Sequence, residues 1–314
     1  MRNLIADHSF DFLGKRRFAA IISVALVVLS LVLIVSRGLN YGVDFTGGYT
    51  IEVGYEQAPD LNGIRDALAA ADLSDAVVQA FGSSTDVLIR LAPREGITSA
   101  TLGDEILQLL SADTEGRVEM RRVEFVGPQV GEELREKGGL AILSALAAII
   151  LYIWIRFEKK FSVGSVLALV HDVVITVGVF ALFQFEFDLT VLAAVLAVIG
   201  YSLNDTIVVF DRIRENFITL RSGKPIDVMN LSINQTLTRT VITSCTTLFV
   251  VLALLLFGGQ IIQSFSIALL VGIVVGTYSS IFVASAAVLE LGVTKEDLMP
   301  VEKEGADSDL DARP

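Results

Sequence analysis

The sequence predicts a polytopic α-helical membrane protein with six transmembrane helices and one α+β domain outside the cytoplasm. Composition is the first observation, because 53% of the 314 residues are hydrophobic and the mean hydropathy is +0.65. The second is a set of six apolar runs, each long enough to cross a bilayer. The third is that only one long polar segment interrupts them. An ordinary soluble domain would not carry so much apolar sequence.

Charge and cysteine content exclude several classes of protein. The formal net charge is -12, with much of the acid in residues 44–136 and after Glu290, and an acidic surface argues against nucleic-acid binding. The one cysteine, Cys245, cannot form a disulfide within the chain. No ligand spacing predicts a metal or a cofactor, and phosphate-loop and hydrolase motifs are absent from the sequence. We therefore expect a protein that is not an enzyme and has no hydrolytic chemistry of its own.

The first apolar run, residues 18–37, follows the basic residues Lys15, Arg16 and Arg17. Signal peptides also begin this way, but this run is longer than a signal core and lacks an A-x-A-like cleavage site. We therefore predict an uncleaved anchor. Five further spans are predicted between residues 138 and 290. They cover approximately 138–155, 162–183, 189–210, 240–258 and 264–290.

The charges of the loops predict the orientation of the chain. Lysine and arginine lie before the first span and in the loops after the second and fourth spans, whereas loops 184–188 and 258–264 contain neither. The positive-inside rule therefore puts residues 1–17 and the acidic tail 291–314 in the cytoplasm. Residues 38–137 then lie outside it. The last part of the tail is predicted to be disordered because it is acidic and poor in apolar residues.

The external segment has the hydrophobic spacing of a small α+β domain. Alternation of period 2 predicts strands and spacing of period 3.6 predicts helices. Their order, β-α-β-β-α-β, is that of a ferredoxin-like domain, and about 100 residues are enough for one core. The predicted elements are strand 49–55, helix 61–73, strands 76–82 and 85–92, helix 98–112 and strand 117–127.

Asp205 lies inside an apolar helix, in the run 194–210. A carboxylate within a span costs about 2.5–3.5 kcal/mol on insertion scales, so it needs a partner, a proton or a water path. Charged residues resume only at Asp211, roughly 9 Å along the helix, so Asp205 is inside the membrane region. Tyr201 and Asn204 precede it, and Tyr201 shares its helix face. We interpret Asp205 as a proton-binding carboxylate; the alternative is a structural ion pair or a span that ends early.

Arg239 opens the predicted fifth span, on a helix that carries a stripe of threonines. An arginine at this level could approach Asp205 from the neighbouring helix and stabilise its ionised form. It could equally extend to the cytoplasmic surface and serve orientation. Spacing leaves both interpretations open. The stripe consists of Thr236, Thr240, Thr243 and Thr247.

His171 and Asp172 lie about 15 Å into the third span. Ionisable residues at this depth are costly, and histidine and aspartate can pass a proton between them. The alternative is a neutral, hydrogen-bonded pair that ties the helix to its neighbours. The spacing does not separate a relay from helix packing.

Three glycine-containing motifs predict packing and turns. Gly272 and Gly276 form a GxxxG pattern in the sixth span, which is typical of close helix packing. Two segments flank the external domain and are interpreted as turns where the chain leaves and re-enters the membrane. Their residues include Asp44, Phe45, Thr46, Gly47 and Gly48 in the first segment, and Gly127 and Pro128 in the second.

Five of these segments together resemble the SecF family, the smaller subunits of the bacterial SecD–SecF protein-export complex in the resistance-nodulation-division superfamily. The resemblance covers nearly the whole chain, in the same order of spans and external domain. Each segment alone is modestly specific, and their combination is highly specific. They are GVDFTGG (42–48), FVGPQVGEEL (125–134), LVHDV (169–173), IGYSLNDTIVVFDRIREN (199–216) and QTLTRTVITS (235–244).

The resemblance implies a function that spacing alone does not. It implies a multi-pass protein of the bacterial inner membrane that uses the proton-motive force, with a SecD partner, to complete protein export. The family's essential membrane carboxylate maps onto Asp205 and its essential arginine onto Arg239. The implied partners are SecD, the channel subunits SecY, SecE and SecG with associated accessory subunits, secretory preproteins, protons and the lipid bilayer.

Three other functions compete with this interpretation. A proton-driven exporter of a small molecule or lipid would need larger external domains and usually a doubled bundle. A passive subunit that only stabilises the translocon would tolerate replacement of Asp205 by asparagine. An intramembrane aspartyl protease would use Asp172 and Asp205, but neither lies in a GxGD-type context.

Overall fold

The computed structural model describes residues 10–81, 83–94, 98–112, 117–220, 223–259 and 262–298. The first nine residues, Gly82 at the end of the predicted strand 76–82, and the tail predicted to be disordered from Val301 lie outside the described residues.

Within the described part of the chain, six helical segments are long and apolar enough to cross a membrane, as predicted. A short 3-10 turn, Leu13–Lys15, leads into the first, and the last is divided by a π-helical turn, Ser280–Ala284. The spanning helices are α1 Arg16–Arg37, α5 Pro128–Arg156, α6 Lys159–Phe183, α7 Leu189–Thr219, α8 Pro225–Phe257 and α9 Gln263–Ser279, which continues as α10 Ser285–Glu290.

Three of these helices extend well beyond the hydropathy-based spans. Helix α5 begins ten residues before the predicted 138, α7 runs to Thr219 instead of 210, and α8 begins at Pro225 instead of 240. Hydropathy misses these turns because they are polar. The added ends of α7 and α8 bind each other, since Asn216 Nδ2 donates to Ser232 Oγ over 2.8 Å and to Gln235 Oε1 over 2.8 Å.

The external segment folds as one antiparallel sheet with two helices, α3 Leu61–Ala70 and α4 Ser99–Ala112. The strand order β3-β4-β2-β5 places the first and third strands at the centre, which confirms the predicted ferredoxin-like arrangement. Its core is fully apolar around Ile51, Ile89 and Leu102. The strands are β2 Gly48–Tyr55, β3 Val77–Phe81, β4 Ser83–Leu91 and β5 Val118–Val126.

Short polar side chains cap the N-termini of these two helices. Asp60 accepts a hydrogen bond from Asn62 N over 2.9 Å and caps α3. Thr98 Oγ1 accepts one from Thr101 N over 3.3 Å and caps α4. Such caps satisfy amide groups that have no partner within the helix.

A second, two-stranded sheet was not predicted. Strand β1, Asn40–Tyr41, pairs in parallel with β6, Glu186–Phe187, in the loop between α6 and α7. The short helix α2, Val43–Thr46, follows β1 directly. Two-residue strands carry no periodic signal, so only the fold reveals this contact between the external segment and the helix bundle.

Helices α6, α7 and α9 form the buried centre of the bundle, whereas α1, α5 and α8 expose most of their apolar surface. The predicted GxxxG packing is present between α9 and α7. A Cβ on Gly272 would lie 2.1 Å from Val198 Cγ2, and one on Gly276 would lie 3.0 Å from Ser202 Cβ. Only glycine permits so close an approach.

Candidate functional site

Asp205 lies in the interior of α7 and is 3% exposed. Its Oδ2 atom is buried and has no hydrogen-bond partner among the described residues. Helix α7 forms from an apolar run whose first turn is capped by Asp188, which accepts from Val191 N over 2.8 Å. The sequence therefore carries a partly unsatisfied carboxylate into the centre of the bundle, where an unpartnered charge is expensive.

Ser244 of α8 lies within hydrogen-bonding reach of the Asp205 carboxylate. The same hydroxyl contacts Thr277 Oγ1 of α9 over 2.7 Å and accepts from Tyr201 Oη over 3.4 Å. Three helices thus meet beside Asp205. Sequence reasoning missed Ser244 and Thr277, although Ser244 lies one turn beyond Thr240 on the predicted threonine face.

Asn204, Tyr201 and Thr243 were candidates for a relay or for helix packing, and two of them form no hydrogen bond with Asp205 among the described residues. Asn204 is exposed on the surface of α7. Thr243 is half-buried, and its hydroxyl donates to Arg239 O and Thr240 O of its own helix, each over 3.0 Å. Tyr201 is the predicted neighbour that the structure does join to this cluster, through Ser244.

Arg239 is exposed on α8 and forms no ion pair with a carboxylate in the described part of the chain. Its positive charge nevertheless acts on Asp205 through space. Arg239 and Asp205 therefore lie on neighbouring helices. They do not form the direct salt bridge that was one of the two possibilities for Arg239 in the sequence.

Asp172 is a second buried carboxylate and is 1% exposed. Ser202 Oγ of α7 and Ser279 Oγ of α9 donate to its Oδ2 over 2.5 and 2.7 Å. His171 Nδ1 lies 2.8 Å from its Oδ1, so this nitrogen carries the hydrogen when Asp172 is ionised. These bonds join α6 to α7 and α9. Neither serine was predicted as a partner of Asp172, because serine hydroxyls are not distinctive in sequence.

The His171 ring stacks on Tyr278 of α9, with centroids 6.1 Å apart. Tyr278 Oη in turn donates to Ala19 O over 3.0 Å and contacts Ser23 Oγ of α1 over 3.0 Å. The Nε2 atom of His171 is buried without a partner among the described residues. A line of polar groups therefore runs from α1 through α9 and α6 to α7.

The glycine-rich segment after α1 connects the external domain to α7. Asp44 Oδ2 accepts a hydrogen bond from Leu189 N, the first residue of α7, over 3.1 Å. Phe45 is buried among apolar residues of α6 and α7, and Thr46 Oγ1 donates to Gly42 O over 3.1 Å. The sequence was interpreted here as a simple turn. Instead, a short helix fastens the start of β2 to the start of α7.

Gly47 and Gly48 are required at this junction. Both have positive φ, of 71° and 133°, and a Cβ on Gly47 would lie 2.9 Å from Pro128 Cα. A Cβ on Gly48 would lie 2.4 Å from Leu91 O. Pro128 supplies the other side of the contact with Gly47. It follows Gly127 and is the first residue of α5, a position that proline favours.

Acidic residues gather at the same junction. Glu186 forms a salt bridge with Arg90 of β4 at 3.0 Å, between the helix bundle and the sheet. Burial raises the pKa of Glu186 above its usual value; Arg90 opposes this shift, and the nearby Asp188 and Asp44 carboxylates add to it. The ionised form of Glu186 is therefore less stable in the folded protein than in water.

Metal binding has no support in the described part of the chain, where no group of three His, Cys, Asp or Glu side chains could hold an ion. The predicted absence of a metal or cofactor stays a prediction. What the buried site offers chemically is two carboxylates, one histidine and several hydroxyls, which are groups that bind and pass protons.

Comparison with known proteins supports a single family. The model of "Protein export membrane protein SecD/SecF, C-terminal" matches residues 106–294, and that of the "SecD/SecF GG Motif" matches residues 32–59. The protein translocase subunit SecF of Vibrio alginolyticus is 54% identical over 308 residues, which is 98% of each chain. The chain belongs to the SecF family. The SecF of Pseudomonas aeruginosa is 48% identical over 98% of both chains, and that of Escherichia coli O157:H7 is 46% identical over 95% of this chain and 93% of its own.

Solved structures agree with this membership in the SecF family. The crystal structure of SecDF from Thermus thermophilus, described as a translocon-associated membrane protein, matches with a TM-score of 0.83 at 39% identity. The match covers 91% of this chain but 39% of that longer chain. A crystal structure of SecDF in a super-membrane-facing form matches with a TM-score of 0.68. The predicted fold of six transmembrane helices with one small α+β domain is confirmed.

Proposed function

We propose that this chain is an accessory subunit of the Sec protein translocase, which uses the proton-motive force with a SecD partner to complete protein export. The observation that carries the proposal is Asp205, buried in the apolar interior of α7 with one carboxylate oxygen unpartnered among the described residues. A membrane carboxylate without a stable partner is suited to taking up and releasing a proton.

Proton movement supplies enough energy for such a role. One charge that crosses 100 mV releases about 2.3 kcal/mol, so a few protons for each step can bias a conformational equilibrium. Protonation removes the charge of Asp205, and with it the attraction of Arg239. Helices α7 and α8, which carry these residues, then change their relative position.

The junction at Asp44 offers a route from this movement to the external domain. Asp44 binds the first amide of α7, while Gly47 and Gly48 of the same segment begin β2 under close contact with Pro128 and Leu91. A shift of α7 along its axis therefore acts on the central strand of the sheet. The external domain moves in response and favours outward movement of the substrate.

The proposal includes a location and partners. The charge distribution of the loops supports an inner-membrane protein with both termini in the cytoplasm and residues 38–137 in the periplasm. SecD is the proposed partner, because this chain matches 39% of a longer chain described as SecDF. The SecY, SecE and SecG channel, its accessory subunits and secretory preproteins are the proposed contacts. The chain itself hydrolyses nothing.

The test is export of a secreted reporter from inverted membrane vesicles that carry this chain with its partner. Translocation driven by ATP is allowed to start and is then stopped, and completion is measured with and without a proton gradient. We expect Asp205→Asn to assemble normally but to lose gradient-dependent completion, because asparagine cannot take up the proton. Glutamate at the same position keeps an ionisable group and is the matched control.

A variant that exports like the wild type under both conditions would remove the proton function of Asp205. The chain would then be a passive subunit that stabilises the translocon. Measuring the amount of assembled complex for each variant separates loss of coupling from loss of folding.

A further inference from the structure

The proposed function leaves Asp172 without a role, although it is more deeply buried than Asp205. Its three hydrogen-bonding neighbours come from three positions: His171 on α6, Ser202 on α7 and Ser279 on α9. Helix packing alone does not require a carboxylate at position 172. An apolar or neutral polar side chain could join the same helices without the cost of a buried charge.

The position of Asp172 along the bundle is informative. Asp172 lies about 20 Å along α6 from Lys159, and Ser202 lies about 20 Å along α7 from its opposite end at Leu189, so both are at mid-depth. Asp205 is one helical turn beyond Ser202, nearer the basic loop. In the proposed orientation, Asp172 and Ser202 are therefore on the external side of Asp205.

We propose that Asp172 is a second relay residue, which receives a proton from the external side and passes it through the Ser202 hydroxyl to Asp205. Ser202 is suited to this transfer because its hydroxyl already bonds Asp172 Oδ2 over 2.5 Å, and it lies on the same helix as Asp205, one turn away. The inference rests on the proposed proton uptake by Asp205.

The transfer is balanced. An external proton converts the Asp172 carboxylate to a carboxylic acid, which donates to Ser202 instead of accepting from it. The Ser202 hydroxyl passes its own hydrogen toward the ionised Asp205, directly or through one bridging water, and takes the hydrogen of Asp172 in exchange. Asp172 returns to the carboxylate and Asp205 becomes the acid. No bond other than O–H bonds is made or broken.

The groups around Asp172 fit this role. His171 of α6 is the titratable group in direct contact with Asp172. Tyr278 of α9 stacks on the His171 ring and is bound in turn to the Ala19 carbonyl and the Ser23 hydroxyl of α1. His171 holds Oδ1, which leaves Oδ2 for exchange with Ser202. The π-helical turn Ser280–Ala284 follows Ser279 directly, and such turns often lie at functional sites.

Ser202 and Ser279 provide a matched pair of variants. Each serine donates one hydrogen bond to the same oxygen of Asp172, but only Ser202 lies on the helix of Asp205. The same vesicle assay with the partner subunit is used. We expect Asp172→Asn to lower gradient-driven completion about tenfold or more, because proton transfer contributes at least this much where it is required. Ser202→Ala should lower it severalfold, and Ser279→Ala should keep most of the rate.

A second measurement distinguishes a relay from a structural tie. The rate of completion is recorded against the pH inside the inverted vesicles, which corresponds to the external side. A relay predicts that Ser202→Ala loses the acceleration by internal acid, whereas Ser279→Ala keeps it. All variants are compared at equal amounts of assembled complex, so a variant that fails to fold is recognised.

The outcomes separate this inference from the proposed function. If Asp205→Asn loses gradient dependence while Asp172→Asn and Ser202→Ala keep it, the relay role of Asp172 is wrong and the proposed function stands. Equal losses in Ser202→Ala and Ser279→Ala, with unchanged pH profiles, would make Asp172 a structural tie. If Asp205→Asn behaves as wild type, the proposed function itself fails.

Discussion

Asp205 and Asp172 are both buried carboxylates in apolar helices, yet their surroundings differ. Asp172 is surrounded by hydrogen-bond donors on both oxygens, whereas Asp205 Oδ2 has no partner among the described residues. The side chains around each aspartate, and not the aspartates themselves, set this difference.

Glu186 and Asp75 show the same principle outside the membrane-spanning helices. Burial dominates at Glu186 and raises its pKa despite the Arg90 salt bridge. At Asp75, burial also acts to raise the pKa, but hydrogen bonds from Arg94 and from the Ala92 amide outweigh it and leave the pKa lowered. Two similar pairs of an acid and an arginine therefore respond to pH in opposite directions.

Glu186→Gln is predicted to change how stability depends on pH. Because the folded state raises the pKa of Glu186, the unfolded state ionises first as pH rises above the ordinary value of 4.5, and the folded state is progressively destabilised. Glutamine removes this loss. In detergent, the Tm of Glu186→Gln relative to the wild type should therefore increase between about pH 4.5 and pH 8.

Asp75→Asn is the control for this experiment. The pKa of Asp75 is lowered from 3.8, so its ionised form is fully present above that value in both states and its contribution is lost only in more acidic solution. Asp75→Asn should lower Tm by a constant amount over the same pH range. If the Tm difference between Glu186→Gln and the wild type is also constant with pH, burial does not destabilise the ionised form of Glu186.

At the scale of elements, the contact of α9 with α7 positions both carboxylate clusters. Gly272 and Gly276 let α9 approach Val198 and Ser202 of α7 closely. This approach brings Ser279 to Asp172 and Thr277 to Ser244. The hydrogen-bonding geometry of the buried site thus depends on glycine at positions 272 and 276, because glycine has no Cβ to keep the helices apart.

Gly272→Ala is predicted to destabilise the bundle. The added methyl would lie 2.1 Å from Val198 Cγ2, so the helices must separate, at about 1–3 kcal/mol for an overpacked core. Unfolding of the purified protein in mixed detergent and denaturant measures this loss. Export should fall with it, because the hydroxyls near Asp205 and Asp172 move apart.

Gly200→Ala is the matched control on α7. Apart from its chain neighbours and its own helix backbone, no described atom lies within 4 Å of the position where its Cβ would be. Alanine is the better helix former, so this variant should be neutral or more stable by up to about 1 kcal/mol. Equal destabilisation by both substitutions would show that close helix approach is not the reason for glycine at position 272.

At the scale of the whole molecule, the external domain and the helix bundle meet at one compact junction. It combines the β1–β6 pairing, the Asp44 cap of α7 and the salt bridge between Arg90 and Glu186. The sheet is therefore not attached only through the ends of α1 and α5. This junction is where movement of α7 would reach the domain that lies outside the membrane.

Locking this junction is predicted to stop gradient-driven export. Asn40 and Glu186 are register partners of parallel strands, whose spacing of about 4.8 Å suits a disulfide. The pair Asn40→Cys and Glu186→Cys, made with Cys245→Ser, should lose completion of export when oxidised and regain it on reduction. The reason is that the junction can no longer change shape.

A disulfide within the sheet is the control for the lock. Glu52 and Arg122 are register partners on β2 and β5, so the pair Glu52→Cys and Arg122→Cys links strands that belong to one domain. Oxidation of this pair should leave export unchanged. Unimpaired export with the oxidised lock at Asn40 and Glu186 would exclude transmission through the junction.

Local signals in the sequence determined the six spans, the external domain and the candidates Asp205, Arg239 and Asp172. Hydrophobic runs and periodic spacing depend only on neighbours along the chain, as does the rarity of a carboxylate in an apolar helix. The segment resemblance to the SecF family is likewise a property of the linear sequence. Each of these features could be recognised before any packing was known.

Tertiary structure alone decided which groups meet. Ser202, Ser279 and Ser244 are ordinary polar residues in sequence, and they matter because helix rotation turns them toward Asp172 and Asp205. The absence of a direct bond from Arg239 to Asp205 in the described residues, and the attachment of Asp44 to α7, depend in the same way on side chains distant in sequence. Spacing fixes the face of a helix, but the approach of neighbouring helices sets the distances on which proton transfer depends.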